Sequence, residues 1–117
     1  WGYEPTLKYL RTMNSSGEGK KLAGHNQKIK VLHLKIINER GLHARASAKF
    51  AALVDSFNSD VEVSKGGLAV PGNSIMGLLT LAAEQGEVLS IKIIGDDSNK
   101  LEIALRDLLG NFFGEGH

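Results

Sequence analysis

The chain has 117 residues, of which 42% are hydrophobic and 23% are charged, and it contains no cysteine. This length suits one domain with a modest core, and the lack of cysteine excludes disulfides and thiolate metal sites. No apolar run approaches the ~18 residues of a membrane-spanning helix, and the first residues lack the apolar core of a secretory signal. We therefore expect a cytoplasmic protein without membrane insertion.

The net charge of +1 is unevenly distributed, since residues 1–28 carry +3 and residues 29–117 carry −2. A mildly acidic folded part does not favour nucleic-acid binding. Residues 14–21 have the composition of a linker. We expect residues 1–27 to be an N-terminal extension, either flexible or introduced for expression, and residues 28–117 to form the domain.

The first half of the chain contains strand and helix patterns in succession. Alternating apolar residues predict a strand over residues 28–37, and a turn follows at residues 38–41. Helical spacing of apolar residues predicts a helix over residues 44–57, with Phe50, Leu53, Val54 and Phe57 on its buried face. Residues 60–64 and 68–70 are predicted to form a hairpin around Gly66-Gly67.

The second half is predicted to add two helices and one strand. Ser74 caps the second helix, which we expect to end near Gly86. Its predicted buried face holds Ile75, Leu78, Leu79 and Ala82. Residues 88–94 alternate as a fourth strand, and Asp96-Asp97 is the expected cap of a third helix. The apolar stripe of that helix is Leu101, Ala104, Leu105, Leu108 and Phe112.

The predicted order of elements is β-α-β-β-α-β-α. Four strands with three separate helices indicate an α+β fold of the open-faced sandwich type, in which one antiparallel sheet is covered by helices on one face. A ferredoxin-like domain that binds a small molecule shares this general plan and is an alternative. No pair of histidines has the spacing of a metal site, so neither a metal nor a cofactor is expected.

His43 is the strongest candidate for chemistry because it directly precedes a predicted helix. The unpaired N–H groups and the positive dipole end of a helix N-terminus bind phosphate readily. A neutral imidazole there is a nucleophile, and Arg45 in the first turn is a fork of donors for phosphoryl oxygens. The competing interpretation is that Arg45 pairs with Glu39 or Asp97 at the surface. By contrast, Ser47 is interpreted as a hydroxyl on the helix surface.

Two motifs give the chain a specific resemblance. Gly41-Leu42-His43-Ala44-Arg45 is similar to the active-centre signature of HPr, the histidine phosphocarrier of the bacterial phosphotransferase system. The segment Ser74-Ile75-Met76-Gly77-Leu78-Leu79 is similar to the second-helix motif of the same family. The resemblance extends over about residues 28–113, and it implies the open-faced sandwich.

The resemblance also implies roles for individual residues. His43 would accept a phosphoryl group on Nδ1 from phospho-enzyme I and pass it to an EIIA-type acceptor, with Arg45 steadying the group. Ser74 would be the regulatory site of an ATP-dependent HPr kinase. Ile75, Met76 and Leu79 would contribute to the surface that docks partners. The protein would be a monomeric carrier and not an enzyme.

One residue departs from the family's pattern, which usually has proline after the arginine, whereas this chain has Ala46. Alanine is an excellent helix former, so the helix is still expected. This version resembles HPr-like proteins of alphaproteobacteria, in which the pathway is often regulatory, of the nitrogen type, and not dedicated to sugar transport. The alternative function is therefore a regulatory module that docks on other proteins and is switched by phosphorylation at His43 or Ser74.

Overall fold

This computed structural model describes residues 29–117 of the chain. These residues form four strands and three helices at the segments where apolar residues alternate or have helical spacing. The strands are β1 (Ile29–Lys35), β2 (Asp60–Lys65), β3 (Leu68–Pro71) and β4 (Val88–Ile94). The helices are α1 (Ala44–Asp55), α2 (Ile75–Thr80) and α3 (Ser98–Gly110), followed by a short 3-10 helix (Phe112–Gly114). The extension predicted for residues 1–27 lies outside the described residues.

The strands form one antiparallel sheet in the order β1-β4-β2-β3. β4 lies at the centre, where Ile94 is paired with Ile29 of β1 on one side and with Asp60 of β2 on the other. Gly66 and Gly67 join β2 to β3 with positive φ angles of 57° and 91°, as tight hairpin turns require. The predicted order of elements and the α+β open-faced sandwich are confirmed.

The core lies between the inner face of the sheet and the helices, because alternate strand residues point to the same side. Burying a large apolar side chain contributes about 1.5–3 kcal/mol, so this layer is the main source of stability. Its largest fully buried apolar members are Ile36, Phe50, Val63, Leu78, Leu89, Ile91, Ile93, Leu101, Leu105 and Phe113.

The second helix is shorter than predicted, and its buried face is different. α2 ends at Thr80, Ile75 is exposed, and Ala82 is exposed with a left-handed φ of 49°. Leu81 is buried instead. The backbone turns away after α2 because the carbonyl of Ala83 accepts a hydrogen bond of 2.9 Å from the loop that precedes α1. This contact ties the end of α2 to the start of α1.

The third helix also differs from its predicted pattern. α3 ends at Gly110, and the left-handed φ of Phe112 breaks the helical repeat, so Phe113 and not Phe112 is buried. Asp97 occupies the N-cap position but does not cap the helix with its side chain. Its carboxylate accepts hydrogen bonds from the backbone of Asn58 and the hydroxyl of Ser59. Within residues 29–117, no helix is long and apolar enough to cross a membrane.

Candidate functional site

His43 is the N-cap residue of α1, as predicted, with an extended backbone and a carbonyl that accepts the first helical hydrogen bond from Ser47 at 2.8 Å. Its ring nitrogen Nδ1 accepts a 3.3 Å hydrogen bond from the backbone N–H of Arg45. A nitrogen that accepts a hydrogen bond carries a lone pair. That lone pair therefore lies against the N-terminal turn of α1, where the helix dipole favours negative charge.

The other ring nitrogen of His43, Nε2, contacts the carboxylate of Glu115 at 2.5 Å. The two side chains are 19% and 8% exposed, so the pair is largely shielded from water. A carboxylate only accepts hydrogen bonds when it is ionised, so this contact assigns the ring proton to Nε2. Both contacts of the ring thus agree on one tautomer, with the proton on Nε2 and the lone pair on Nδ1.

Burial opposes the ionisation of Glu115, but hydrogen bonds from His43 and Asn38 outweigh it and hold the pKa of this carboxyl below its usual value. The charge of Arg40 acts in the same direction. Glu115 is therefore a carboxylate at neutral pH.

Asn38 connects the loop before α1 with the segment that follows α3. Its buried side-chain amide donates to the carbonyl of Gly41 at 2.9 Å and to Glu115 Oε1 at 3.2 Å. Both amide hydrogens are used, while the buried Oδ1 has no hydrogen-bond partner among the described residues. The two acceptors therefore set the orientation of the amide. The sequence pattern places Asn38 only in a turn, and no pattern points to Glu115.

Gly41 shapes the loop that presents His43. Its φ is +68°, and a Cβ at this position would lie 2.6 Å from the carbonyl oxygen of Ala83. That same oxygen accepts the hydrogen bond from the backbone N–H of Leu42. Only glycine combines this backbone conformation with such a close approach, which explains why the loop needs a glycine two residues before His43.

Arg45 lies exposed in the first turn of α1, two residues from His43. Neither ion pair considered from the sequence forms within residues 29–117: Glu39 pairs with His117 at 3.7 Å, and Asp97 is occupied by Asn58 and Ser59. The described structure thus leaves the Arg45 guanidinium without an acidic partner beside the histidine. It is available to an anion from outside.

The opposite side of the first turn of α1, formed by Ala46 and Ser47, is packed into the protein. Ala46 stands where the family pattern usually has proline and is fully buried. The helix forms without that proline. Ser47 is also fully buried and donates to the carbonyl of Leu42 at 3.3 Å, so the prediction of a surface hydroxyl is wrong. These buried small residues hold the N-terminus of α1 in place under His43.

Ser74 is the N-cap of α2, and its hydroxyl accepts a 2.9 Å hydrogen bond from the backbone N–H of Gly77. It does not join the His43 site. Asn73 donates to Asp55 at the C-terminal end of α1, whereas His43 lies at the N-terminal end. A helix of twelve residues is about 18 Å long, so Ser74 and His43 lie at opposite ends of α1.

The predicted docking residues differ in exposure. Ile75 is 42% and Met76 68% exposed, whereas Leu79 is half-buried. The first two form an apolar surface directly after Ser74. An exposed pair of large apolar side chains is a candidate contact surface for another protein.

Comparison with known proteins gives a consistent result. Residues 32–111 match the protein family described as "PTS HPr component phosphorylation site". Several curated relatives carry the name "Phosphocarrier protein HPr". The relative from Neisseria meningitidis is 47% identical over 83 residues, covering 71% of this chain and 93% of its own length. The relative from Cupriavidus necator is 46% identical over 81 residues, covering 69% and 91%.

The fold comparison agrees with the sequence comparison. The crystal structure of HPr-C-His from Thermoanaerobacter tengcongensis is similar with a TM-score of 0.70 and 38% identity, and the match covers 74% of this chain and 97% of that one. The match with the family extends over more than half of the chain and contains the segment around His43. The chain therefore belongs to the HPr family, the phosphocarrier proteins of the phosphotransferase system.

Proposed function

We propose that His43 is the residue that carries the phosphoryl group, and that the group is bound to Nδ1. The observation that carries this proposal is the hydrogen bond from the Arg45 N–H to Nδ1, which points the lone pair at a helix N-terminus. Once a phosphoryl group is bound to Nδ1, its oxygens would accept the hydrogen bond from the Arg45 N–H in place of the lone pair. Neighbouring N–H groups of the first turn would add to its stabilisation.

Arg45 has a second role in this proposal. Its exposed guanidinium lacks an acidic partner within residues 29–117, so it is free to donate to phosphoryl oxygens or to the phosphorylated partner. The proposed donor is phospho-enzyme I, and the proposed acceptor is an EIIA-type protein. Membership of the HPr family supports enzyme I as the class of donor and EIIA-type proteins as the class of acceptor.

The test of this function is incubation of the full chain with phosphoenolpyruvate and enzyme I. We expect one acid-labile phosphate per chain in the wild type and none in His43→Ala. His33→Ala is the matched control, because His33 is an exposed histidine on β1 whose ring forms a hydrogen bond with Ser90. A phosphate that persists in His43→Ala, or that is lost only in His33→Ala, would contradict the proposal.

We also propose that Ser74 is a regulatory phosphosite for an HPr kinase. Its hydroxyl caps α2, and a phosphate there would place about 1.5 to 2 negative charges directly beside the exposed apolar surface of Ile75 and Met76. The charge would be tolerated by the helix N-terminus but would oppose docking of an acidic or apolar partner surface. Incorporation of phosphate from ATP that survives Ser74→Ala would contradict this assignment.

A regulatory docking module is the second candidate function, and the exposed pair Ile75 and Met76 beside Ser74 favours it. In this interpretation, phosphorylation at His43 or Ser74 changes which proteins the chain binds. Pull-downs with phosphorylated and unphosphorylated protein test it, since binding that ignores phosphorylation excludes a switch. Phosphorylation rates with nitrogen-type and sugar-type enzyme I test the regulatory, alphaproteobacterial branch that Ala46 suggests.

We propose a cytoplasmic location and a monomeric state for this carrier. The location follows from the proposed partners, phospho-enzyme I and an EIIA-type protein. Analytical ultracentrifugation of the full chain across a range of concentrations tests the monomer, and a mass that rises with concentration would contradict it.

A further inference from the structure

We propose that Glu115 is a positioning residue for phosphoryl transfer: its carboxylate holds the proton on Nε2 of His43 and so keeps Nδ1 free to react. This inference rests on the proposed function of His43. It gives the end of the chain a role in the chemistry. The family match ends at residue 111, so Glu115 lies outside the part of the chain that the match covers.

The geometry of the pair supports this role. Glu115 Oε2 lies 2.5 Å from Nε2, and its other oxygen, Oε1, accepts from Asn38 at 3.2 Å. The carboxylate is thus held at both oxygens, and only 8% of the side chain is exposed. A charge-assisted hydrogen bond in such a shielded place is stronger than an exposed one and orients the ring.

The segment that carries Glu115 is anchored to the core. Phe113, two residues earlier, is fully buried, and its carbonyl accepts a 2.8 Å hydrogen bond from Lys49 Nζ on α1. The backbone N–H of Glu115 donates to the carbonyl of Phe112 at 2.8 Å. Phe112 and Phe113 both have left-handed φ angles, 59° and 54°, which turn the chain back from the end of α3 towards His43. The turn that these contacts fix therefore places the carboxylate of Glu115 beside the ring of His43.

The expected effect on the reaction follows from where charge develops. In the forward step, the Nδ1 lone pair forms a bond to phosphorus, while the bond from phosphorus to the donor breaks and its electron pair leaves with the donor. The proton stays on Nε2, so the ring of His43 acquires positive charge beside the carboxylate of Glu115. When the group passes to the acceptor, the electron pair of the P–N bond returns to Nδ1. A fixed carboxylate stabilises the charged ring in both directions.

The experiment compares Glu115→Ala and Glu115→Gln with wild type in the full chain. The control is Asp107→Ala, which removes an exposed carboxylate near the end of α3. Single-turnover phosphorylation by phospho-enzyme I gives a maximal rate and a half-saturating concentration. We expect Glu115→Ala to lower the maximal rate about tenfold to a hundredfold, because a hydrogen bond to a charged group is lost. The half-saturating concentration and the control should remain unchanged.

Glu115→Gln should recover part of the rate, because its amide oxygen still accepts from Nε2 although it has no charge. Nitrogen NMR of the His43 ring provides a second measurement. Wild type should show the proton on Nε2, and Glu115→Ala should move the Nε2 signal and add a form with the proton on Nδ1. Thermal unfolding of each variant separates these effects from loss of fold, and a chain ending at Gly114 is the second variant if Glu115→Ala does not fold.

A wild-type rate in Glu115→Ala would overturn this inference while leaving His43 as the phosphorylated residue. A lower rate with unchanged ring signals would also overturn it, because the effect would then not act through the Nε2 proton. Phosphate that remains in His43→Ala is a separate outcome, which contradicts the proposed function itself.

Discussion

Replacing Gly41 with alanine tests how the loop presents His43. At a φ of +68°, a residue with a Cβ pays about 1 to 2 kcal/mol in backbone strain. The new Cβ would also lie 2.6 Å from the Ala83 carbonyl oxygen, which is backbone and cannot move aside cheaply. Its displacement would weaken the hydrogen bond from Leu42, which is worth about 1 kcal/mol. We expect a total loss of stability of about 2 to 3 kcal/mol.

Gly66→Ala is the matched control for this prediction. Gly66 has a similar φ of +57°, but no atom of residues 29–117 lies within 4 Å of a Cβ there, so only the strain remains. Urea unfolding followed by far-ultraviolet circular dichroism measures both variants. An excess of about 1 kcal/mol lowers the midpoint by roughly 0.5 to 1 M more in Gly41→Ala than in Gly66→Ala. Equal midpoints would refute the argument that the contact with Ala83 shapes the loop.

Three further predictions concern the elements around the site. Phe113→Ala should cost about 3 to 5 kcal/mol in chemical unfolding, because a fully buried ring is removed; a loss below 1 kcal/mol would contradict its anchoring role. Ser74→Ala should cost about 1 kcal/mol and Ser74→Asp much less, since aspartate also caps; equal thermal midpoints for the two would argue against the cap. Partial burial opposes ionisation of Asp97, but hydrogen bonds from Asn58 and Ser59 hold its pKa below the usual value. Its stabilisation is therefore complete above the unfolded pKa of about 3.9 and is lost as pH falls through the lower folded pKa. The wild type should therefore have a higher free energy of unfolding than Asp97→Asn at neutral pH, and this difference should disappear in acid. A difference that is independent of pH would contradict this prediction.

The sequence predicted the parts of the molecule that depend on local patterns. Strand β4 has the predicted bounds, and His43 lies at the N-cap of α1, because alternation and capping are properties of a few neighbouring residues. The end of α3 was misjudged because the helical repeat of leucines continues formally to Phe112. The left-handed backbone there is set by the packing of Phe113, which a periodic pattern does not contain.

The surroundings of His43 were beyond the reach of sequence patterns for a physical reason. Asn38 and Glu115 meet across 77 positions in the chain, and neither residue stands in a recognisable motif. Only the completed fold, in which the chain turns back after α3, brings the carboxylate to the ring. A glutamate following two phenylalanines near the end of the chain carries no local signal of such a contact.

The most direct test of the account is the position of the phosphate on the ring of His43. Phosphorylated full-length chain with isotopically labelled histidine is measured by nitrogen and phosphorus NMR. We predict that phosphorus couples to Nδ1 of His43, since Nε2 is covered by Glu115 and Nδ1 faces the N-terminus of α1. Phosphorus coupled to Nε2, or phosphate bound to a residue other than His43, would contradict the central claim.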